Sequence, residues 1–203
     1  MTTRRYEKRK RKAKEEATRQ RIVAATSALH EEVGPARTTV TAIANRAGVA
    51  RPTVYQHFPD EQALFGACAA HFAAEHPAPD PRTWNAIDDP VDRLRKALEE
   101  TYAHYAATEQ MTANVVRDAE LLPALRDVLE ADEGPYQEEV TRALSAGWGL
   151  RGQRRKALFA VLGLALDFGT WQRLVSAGGL TGAQAAETMA DMAALVAGRG
   201  RDT

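Results

Sequence analysis

The segment that most constrains the fold is residues 41–60, which read T-A-I-A-N-R-A-G-V-A-R-P-T-V-Y-Q-H-F-P-D. Apolar residues recur up to the glycine at the three and four residue steps of one helical face: Val40, Ile43, Ala44 and Ala47. Thr39 precedes them at the position of an N-cap. Gly48 favours a sharp turn, because glycine adopts the left-handed conformation that ends a helix without a steric penalty. The pattern therefore predicts a short helix closed by a tight turn.

A second short helix is predicted directly after this turn. Pro52 lies in its first turn, where the missing N–H costs nothing, and Pro59 ends it. Val54 and Phe58 have the spacing of an inward face, whereas four other positions carry polar side chains that no core needs: Arg51, Thr53, Gln56 and His57. Two short helices joined by a glycine turn form a helix-turn-helix, and the second helix of this motif enters the major groove of DNA.

Residues 17–75 resemble the TetR family of one-component transcriptional regulators. The resemblance rests on the segments T-T-V-T-A-I-A-N-R-A-G-V, R-P-T-V-Y-Q-H-F and P-D-E-Q-A-L-F. It implies an N-terminal three-helix DNA-binding domain, a fourth connecting helix, a variable helical ligand-binding domain and a homodimer. Three positions depart from the residues that are frequent in the family: Ala42, Ala50 and Glu61. Ala50 removes a side-chain cap, and Glu61 would repel phosphate if it faced DNA.

Seven positions are expected to meet DNA: Thr39, Arg51, Pro52, Thr53, Tyr55, Gln56 and His57. The resemblance implies that Arg51 and Pro52 face bases and that Thr39 and His57 reach phosphate. Thr53 and Tyr55 would contact the backbone or a thymine methyl group. These roles agree with the chemistry, since arginine binds guanine O6 and N7 bidentately and hydroxyl groups bond phosphate oxygens.

Charge is unevenly distributed along a chain whose formal net charge is zero. Residues 1–61 hold 13 Lys and Arg against 7 Asp and Glu, and residues 62–203 hold 14 against 20. The basic segment, residues 4–21, holds ten basic and three acidic side chains. This composition predicts a disordered N-terminal tail over residues 1–16 that neutralises DNA phosphates and releases counterions. The sequence leaves open whether the tail also enters the minor groove.

Alanine is abundant and runs of β-branched residues are scarce, so we expect an all-α fold of about nine helices. The proline-rich stretch H-P-A-P-D-P at residues 76–81 is the clearest boundary signal. We expect a helix-turn-helix DNA-binding domain over residues 17–60. A larger helical-bundle domain for effector binding and dimerisation is expected over residues 61–203.

The larger domain combines apolar helices with amphipathic aromatic residues and a few polar groups, a pattern that small-molecule sites use. We predict nine lining residues for such a site: Trp84, Tyr102, Tyr105, Met111, Asn114, Arg117, Trp148, Phe168 and Trp171. Arg117 would meet an acceptor or anionic group on a largely apolar ligand. Two alternatives remain: the aromatic residues could fill the core, and Arg117 could form a salt bridge with Asp118.

Two apolar helices predicted over residues 154–176 and 181–197 carry more apolar groups than the outermost helices of a monomer can expose. Seven side chains are expected to be buried on a two-fold partner: Leu158, Phe159, Leu162, Leu166, Met189, Met192 and Leu195. The sequence therefore predicts a homodimer through these helices.

The sequence raises three classes of function. The first is a ligand-responsive regulator, a repressor that a small molecule releases from its operator; the second is a constitutive or architectural DNA-binding protein without an effector. The third is an enzyme, but the sequence has no catalytic Ser/His/Asp or Cys/His arrangement, phosphate-binding glycine loop or metal-ligand cluster, so no enzyme, cofactor or metal is expected. The single cysteine, Cys68, is expected to be a buried thiol. With no signal-peptide pattern and no apolar run of membrane-spanning length, we expect a cytoplasmic protein.

Overall fold

The computed structural model describes residues 2–198, with the side chains of all of them except residues 2–4, 132 and 133. Residue 1 of the predicted tail and residues 199–203 of the predicted larger domain lie outside the described part. The described chain contains helices and no β-strand, so the all-α prediction is confirmed. Its α-helices are α1 (Thr2–Val33), α2 (Val40–Ala47), α3 (Arg51–His57), α4 (Glu61–Glu75), α5 (Pro81–Trp84), α6 (Pro90–Ala119), α7 (Pro123–Ser145), α8 (Gly152–Ala165), α9 (Phe168–Gln172) and α10 (Gly182–Ala197).

The chain divides into two compact units, which we call the front unit and the rear unit. The front unit combines Met1–Pro77 with Gln110–Ala131, and the rear unit combines Ala78–Glu109 with Asp132–Thr203. Residues 110–131, which fall inside the larger domain expected from the sequence, thus group with the N-terminal helices. α6 and α7 each contribute residues to both units.

The basic segment belongs to α1, so the expectation of disorder is wrong for the part of it that the structure describes. Arginine, lysine, glutamate and alanine are among the best helix formers, and their propensity outweighs the repulsion between the cations. Arg11 also pairs with Glu15 one turn along the helix at 3.0 Å. The side chains of residues 5–17 are exposed, which leaves their charges available to a partner.

The front unit has a core built from α1 to α4. The inward faces expected from the sequence lie in this core. Their buried members are Ile43, Ala44, Ala47, Val54 and Phe58, and Val40 is half-buried against them. Cys68 lies in this core, and burial raises the pKa of its thiol to about 12. The thiol is therefore neutral at physiological pH and structural, as predicted.

The rear unit has a separate core in which α10 supplies a row of small side chains. The buried residues of α10 are Ala185, Ala186, Met189, Ala190, Ala193, Ala194 and Ala197. Alanine lets neighbouring helices approach closely, and this explains where part of the high alanine content is used. α10 begins with a capping box formed by Thr181 and Gln184.

The long helix expected over residues 154–176 is interrupted. α8 ends at Ala165, and Asp167 caps α9 by accepting a hydrogen bond from the Thr170 N–H at 2.6 Å. A turn of π-helix, Arg173–Ala177, follows α9. Among the described helices none is by itself long and apolar enough to cross a membrane. α8 and the segment Phe168–Ala177 meet that test only when taken together, and they are bent by 64°.

Candidate functional site

The turn between α2 and α3 has the geometry that the sequence predicts. The Thr39 hydroxyl accepts a hydrogen bond from the Ala42 N–H at 3.1 Å, which caps α2. Gly48 ends α2 in the left-handed conformation, with φ of 64° and ψ of 43°. The Val49 N–H then donates to the Ala44 carbonyl at 3.0 Å, which closes the turn.

α3 has one buried face and one solvent-facing face. Val54 holds the helix in the front core, whereas Arg51, Pro52, Tyr55 and Gln56 line a shallow surface concavity of about 650 Å³. Tyr55 is 50% exposed on this face. Of the other expected contacts, Thr39 is exposed at the start of α2, and Thr53 and His57 are half-buried. The structure thus places four of the seven residues on one open surface.

Contacts that were not anticipated from the sequence hold this surface in place. The guanidinium of Arg19 on α1 lies 4.9 Å from the centre of the Phe58 ring, which follows α3. Arg46 on α2 pairs with Glu32 on α1 through two hydrogen bonds, one of them 2.8 Å long. The two residues of each pair lie on different segments of the chain, so the periodicity along one helix could not predict that they meet.

The end of α6 lies in the front unit and forms what we call the Asn114 network. The Asn114 amide donates to the carbonyls of His30 and Glu31 at 3.0 and 2.7 Å, near the end of α1. Arg117 donates to Asn114 at 2.9 Å and to Asp118 at 2.7 Å. The Asp118 carboxylate also accepts from the Ala36 N–H at 2.9 Å. The network binds α6 to the segment that links α1 to α2, and the salt-bridge alternative for Arg117 is the arrangement observed.

Gly34 fits closely against this network. Its φ of 92° is a conformation that residues with a Cβ rarely adopt. A Cβ added there would lie 2.2 Å from Arg117 Nη2 and 2.4 Å from Asp118 Oδ2. Any other residue here would have a strained φ and would displace the ends of the Arg117 and Asp118 side chains.

Two buried ionisable groups lie in or beside the Asn114 network. Burial lowers the pKa of His30 to about 4, although the charge of Asp118 acts in the opposite direction. Burial would raise the pKa of Asp118, but hydrogen bonds from Arg117 and from the Ala36 N–H lower it below its ordinary value. At neutral pH, His30 is neutral and Asp118 is ionised.

The nine residues expected to line an effector site fall in both units. Met111, Asn114 and Arg117 belong to the front unit, where Met111 is buried and the other two form the network. In the rear unit, three aromatic residues fill the core with their polar atoms paired. The Trp84 N–H donates to Glu100 at 2.7 Å, the Tyr102 hydroxyl to the Ala165 carbonyl at 2.7 Å, and the Trp148 N–H to the Leu144 carbonyl at 2.8 Å.

The remaining three residues pack on one another and are called the Trp171 cluster. The ring centres of Tyr105 and Trp171 are 5.7 Å apart, and Phe168 lies 5.4 Å from each of them. A second surface concavity, of about 420 Å³, is lined by Gly152, Arg155, Lys156 and Phe159. Neither concavity is lined by any of the nine residues.

The seven residues predicted for the dimer interface have different environments. Leu158, Leu162 and Met189 lie in the core of the rear unit at 1 to 5% exposure, because these positions face inward. These three are core residues, so their prediction as interface residues is wrong. Leu166 and Phe159 are half-buried, and Phe159 lies under the guanidinium of Arg155. Met192 and Leu195 are 46% and 68% exposed, and Leu164, which was not predicted, is 55% exposed.

An all-α chain with an exposed polar helix after a tight glycine turn defines a helix-turn-helix DNA-binding protein. Residues 22–68 match the model of the bacterial regulatory proteins of the TetR family. Many solved structures of TetR-family regulators share the fold. Residues 22–68 thus form a domain of the TetR N-terminal type, and the chain shares the fold of TetR-family regulators.

Three solved structures illustrate this similarity. A TetR-like transcriptional regulator from Rhodococcus sp. RHA1 is 20% identical, with a TM-score of 0.59 over 87% of this chain and 93% of that one. A TetR-family regulator from Streptomyces coelicolor is 14% identical, with a TM-score of 0.61 over 89% and 80%. RolR, solved in complex with the ligand resorcinol, is 21% identical, with a TM-score of 0.52 over 94% and 96%. A comparison with curated proteins returned no match. At these identities the similarity concerns the fold.

Proposed function

We propose that this protein is a ligand-responsive transcriptional regulator that binds an operator as a homodimer and leaves it when a small molecule binds. The observation that carries the proposal is the outer face of α3. Arg51, Tyr55 and Gln56 are solvent-exposed and form no side-chain hydrogen bond within the described part of the chain. An arginine and an amide on one helical face match the base edges of the major groove.

The basic segment supplies affinity that does not depend on base sequence. As part of a helix it presents its cations around a rod of about 10 to 12 Å in diameter. The minor groove is only about 6 Å wide, so a helical segment contacts the phosphates that flank the operator and does not enter this groove. Each phosphate that it neutralises releases counterions and strengthens binding.

The homodimer is proposed to use the exposed apolar residues of α8 and α10. Leu164, Met192 and Leu195 have the exposure that a partner surface needs, whereas the core residues of these helices are already used. Two-fold symmetry would place two recognition helices on half-sites about 34 to 36 Å apart, or further apart on a stretched site. The operator is then a pseudo-palindrome.

Release is proposed to pass through α6. This helix is continuous from Pro90 to Ala119, carries Tyr105 in the rear unit, and ends in the Asn114 network of the front unit. A small molecule that prefers one position of α6 would shift the equilibrium between DNA-binding and released states, which requires only a difference in affinity for the two. RolR has been solved with a small aromatic ligand, and this supports the same class of effector here.

A second candidate is a constitutive DNA-binding protein without an effector. It is favoured by the burial of Trp84, Tyr102 and Trp148, whose polar atoms are paired inside the rear core. Under this candidate, compounds that bind the protein leave its affinity for DNA unchanged.

The test starts from a random pool of duplex DNA. The wild-type protein should enrich a two-fold symmetric site, and affinity for that site should exceed affinity for a scrambled duplex by about 10³-fold or more at physiological salt. Enrichment of no sequence above background would reject the regulator. Small aromatic compounds are then titrated into the complex, and release of DNA separates the proposed function from the constitutive alternative.

A further inference from the structure

The arginines of the front unit differ in whether the fold gives them a partner. Residues 17–77 contain five arginines and no lysine. Three of these arginines have an internal partner: Arg19 lies over the Phe58 ring, Arg37 donates to the Val33 carbonyl, and Arg46 pairs with Glu32. The side chains of Arg21 and Arg51 form no hydrogen bond or ion pair with the described residues. Arg51 is already proposed to read bases, which leaves Arg21 without a role.

Arg21 lies on α1 beside the turn between α2 and α3. Its Nη1 atom is 3.9 Å from the position that a Cβ on Gly48 would occupy. Gly48 ends α2, and α3 begins with Arg51 three residues later. The Arg21 side chain is exposed. The fold therefore brings a cation without a partner to the end of α3 from which Arg51 is proposed to reach bases.

The turn itself offers little to a DNA phosphate. Ala50, the N-cap of α3, makes no side-chain hydrogen bond, and Pro52 has no N–H to donate. Glu61, at the start of α4, adds a negative charge to the front unit. Arg21 on α1 supplies the positive charge that the turn lacks.

A DNA backbone passes close to this turn when α3 lies in the major groove. The groove is about 12 Å wide, and the two phosphate backbones border it. The first residues of a recognition helix meet base edges, so the turn that precedes them lies near one of these borders. Arginine suits a phosphate there, because its planar guanidinium donates two parallel hydrogen bonds to phosphate oxygens.

We propose that Arg21 binds a DNA phosphate beside the bases that Arg51 reads, and that this contact fixes how α3 lies in the groove. The contact has no base preference, since every nucleotide presents the same phosphate. The contribution of Arg21 to operator binding rests on the proposed function, whereas its binding of a phosphate does not.

The salt dependence of DNA binding tests this contact. One phosphate contact contributes about 0.9 to the slope of log K against log salt concentration, so Arg21→Gln should flatten the wild-type slope by about 1. Arg21→Gln should weaken binding to the selected operator and to a scrambled duplex by the same factor. A rise in salt from about 50 to about 200 mM should reduce that factor roughly 3.5-fold. The fluorescence anisotropy of labelled DNA measures each affinity.

Two further variants separate the charge of Arg21 from other effects. Arg21→Lys keeps a cation that binds phosphate, so it should retain the wild-type slope. Arg126→Gln makes the same change in net charge at an exposed arginine of the front unit that lies on α7, and it should leave the slope and the affinities unchanged. Urea denaturation should give Arg21→Gln the wild-type stability, because the side chain has no internal partner.

Neutral phosphates in the operator locate the contact. Replacement of single phosphates with methylphosphonates removes one negative charge at a time. At one position the replacement should weaken binding by the wild type and leave binding by Arg21→Gln unchanged. This position should lie beside the base pair at which Arg51→Ala relaxes the sequence preference.

A wild-type salt slope in Arg21→Gln would overturn the contact, as would an equal loss of slope in Arg126→Gln. If the wild type selects a DNA site and Arg21→Gln keeps the slope, only the contact is rejected. If the wild type binds all duplexes alike and Arg21→Gln flattens the slope, the contact stands and the regulator is rejected. No binding of the wild type to any duplex would reject both.

Discussion

The outer face of α3 and the aromatic interior of the rear unit differ in whether packing within the fold explains their side chains. On α3, Arg51 and Tyr55 are exposed and contribute nothing to the core, so a partner outside the chain explains why they are there. In the rear unit, Trp84 and Tyr102 are buried and hydrogen-bonded, so core packing explains them equally well. Several exposed polar side chains on one short helix therefore point to a partner outside the chain, whereas a buried and hydrogen-bonded aromatic residue is explained by core packing alone.

The largest expected effect tests whether exposure also marks a binding surface in the rear unit. Leu195 is 68% exposed on α10. A two-fold interface contains this residue from both protomers, so one substitution changes two contacts. Leu195→Lys should weaken dimerisation by about 3 kcal/mol or more, because two apolar side chains lose their burial. Sedimentation at micromolar concentration should show a monomer. In thermal unfolding, the variant should have the wild-type Tm once the contribution of dimerisation is subtracted.

Leu121→Lys is the matched control for this variant. Leu121 is 69% exposed, but it lies in the front unit, and the substitution should leave the dimer intact. If both variants remain dimeric, or if the wild type is a monomer, the interface through α10 is wrong.

The next effect concerns residues whose roles are entirely internal. Gly34→Ala should lower the free energy of unfolding by about 3 kcal/mol, because the new Cβ has an unfavourable φ and displaces Arg117 and Asp118. Gly48→Ala should cost only about 1 kcal/mol, because the nearest atom to its Cβ, in Arg21, is 3.9 Å away. Urea denaturation of the full chain measures both. Equal losses would mean that the Arg117 and Asp118 side chains move away from the added Cβ at little cost in free energy.

A third effect should appear as a dependence of stability on pH. Folded His30 stays neutral down to its pKa of about 4, whereas the unfolded residue takes up a proton below its ordinary pKa near 6.5. The unfolded state therefore binds more protons between these values, and stability falls as the pH falls. Between pH 7 and pH 5 this residue should lower the free energy of unfolding by about 2 kcal/mol.

His30→Gln should remove that part of the pH dependence, and the exposed His76 provides the control. His76→Gln should keep the wild-type slope in urea denaturation at the two pH values. A wild-type slope in His30→Gln would place the titrating group elsewhere in the chain.

The smallest effect concerns the basic segment. Deletion of residues 1–14 should weaken binding to every duplex by about tenfold at low salt and should flatten the dependence on salt concentration. Ala13→Pro keeps every charge but interrupts the helix, so it should reduce binding to the selected site and to scrambled DNA alike. A loss confined to sites with A·T-rich flanks would instead indicate an extended arm in the minor groove.

Local chemistry made much of the front unit predictable. Thr39 and Gly48 act through a hydrogen bond and torsion angles within a few residues, and each caps the end of α2 that the sequence assigns to it. The helical state of the basic segment was missed because its composition also fits disorder. The residue patterns in this one short segment therefore predicted the turn and also carried the resemblance to the TetR family.

Contacts between distant segments could not be read in the same way. The Asn114 network joins residues more than 80 positions apart, and the inward orientation of Leu158 and Met189 depends on how α8 and α10 pack. An apolar helix with small side chains on several faces has no single face that the sequence identifies as the outside. The lack of a hydrogen-bond partner for the buried atoms Thr101 Oγ1 and Trp171 Nε1 among the described residues likewise depends on the three-dimensional fold.

The most direct test of sequence reading by α3 compares the DNA binding of Arg51→Ala with that of the wild type. Two duplexes of equal length are used at one salt concentration, the selected operator and a scrambled sequence. Arg51 is proposed to bind base edges, so the variant should lose about 1 to 3 kcal/mol on the operator and much less on the scrambled duplex. The fluorescence anisotropy of labelled DNA measures all four affinities. Equal losses on the two duplexes, or no loss on either, would contradict the claim that the exposed face of α3 reads DNA sequence.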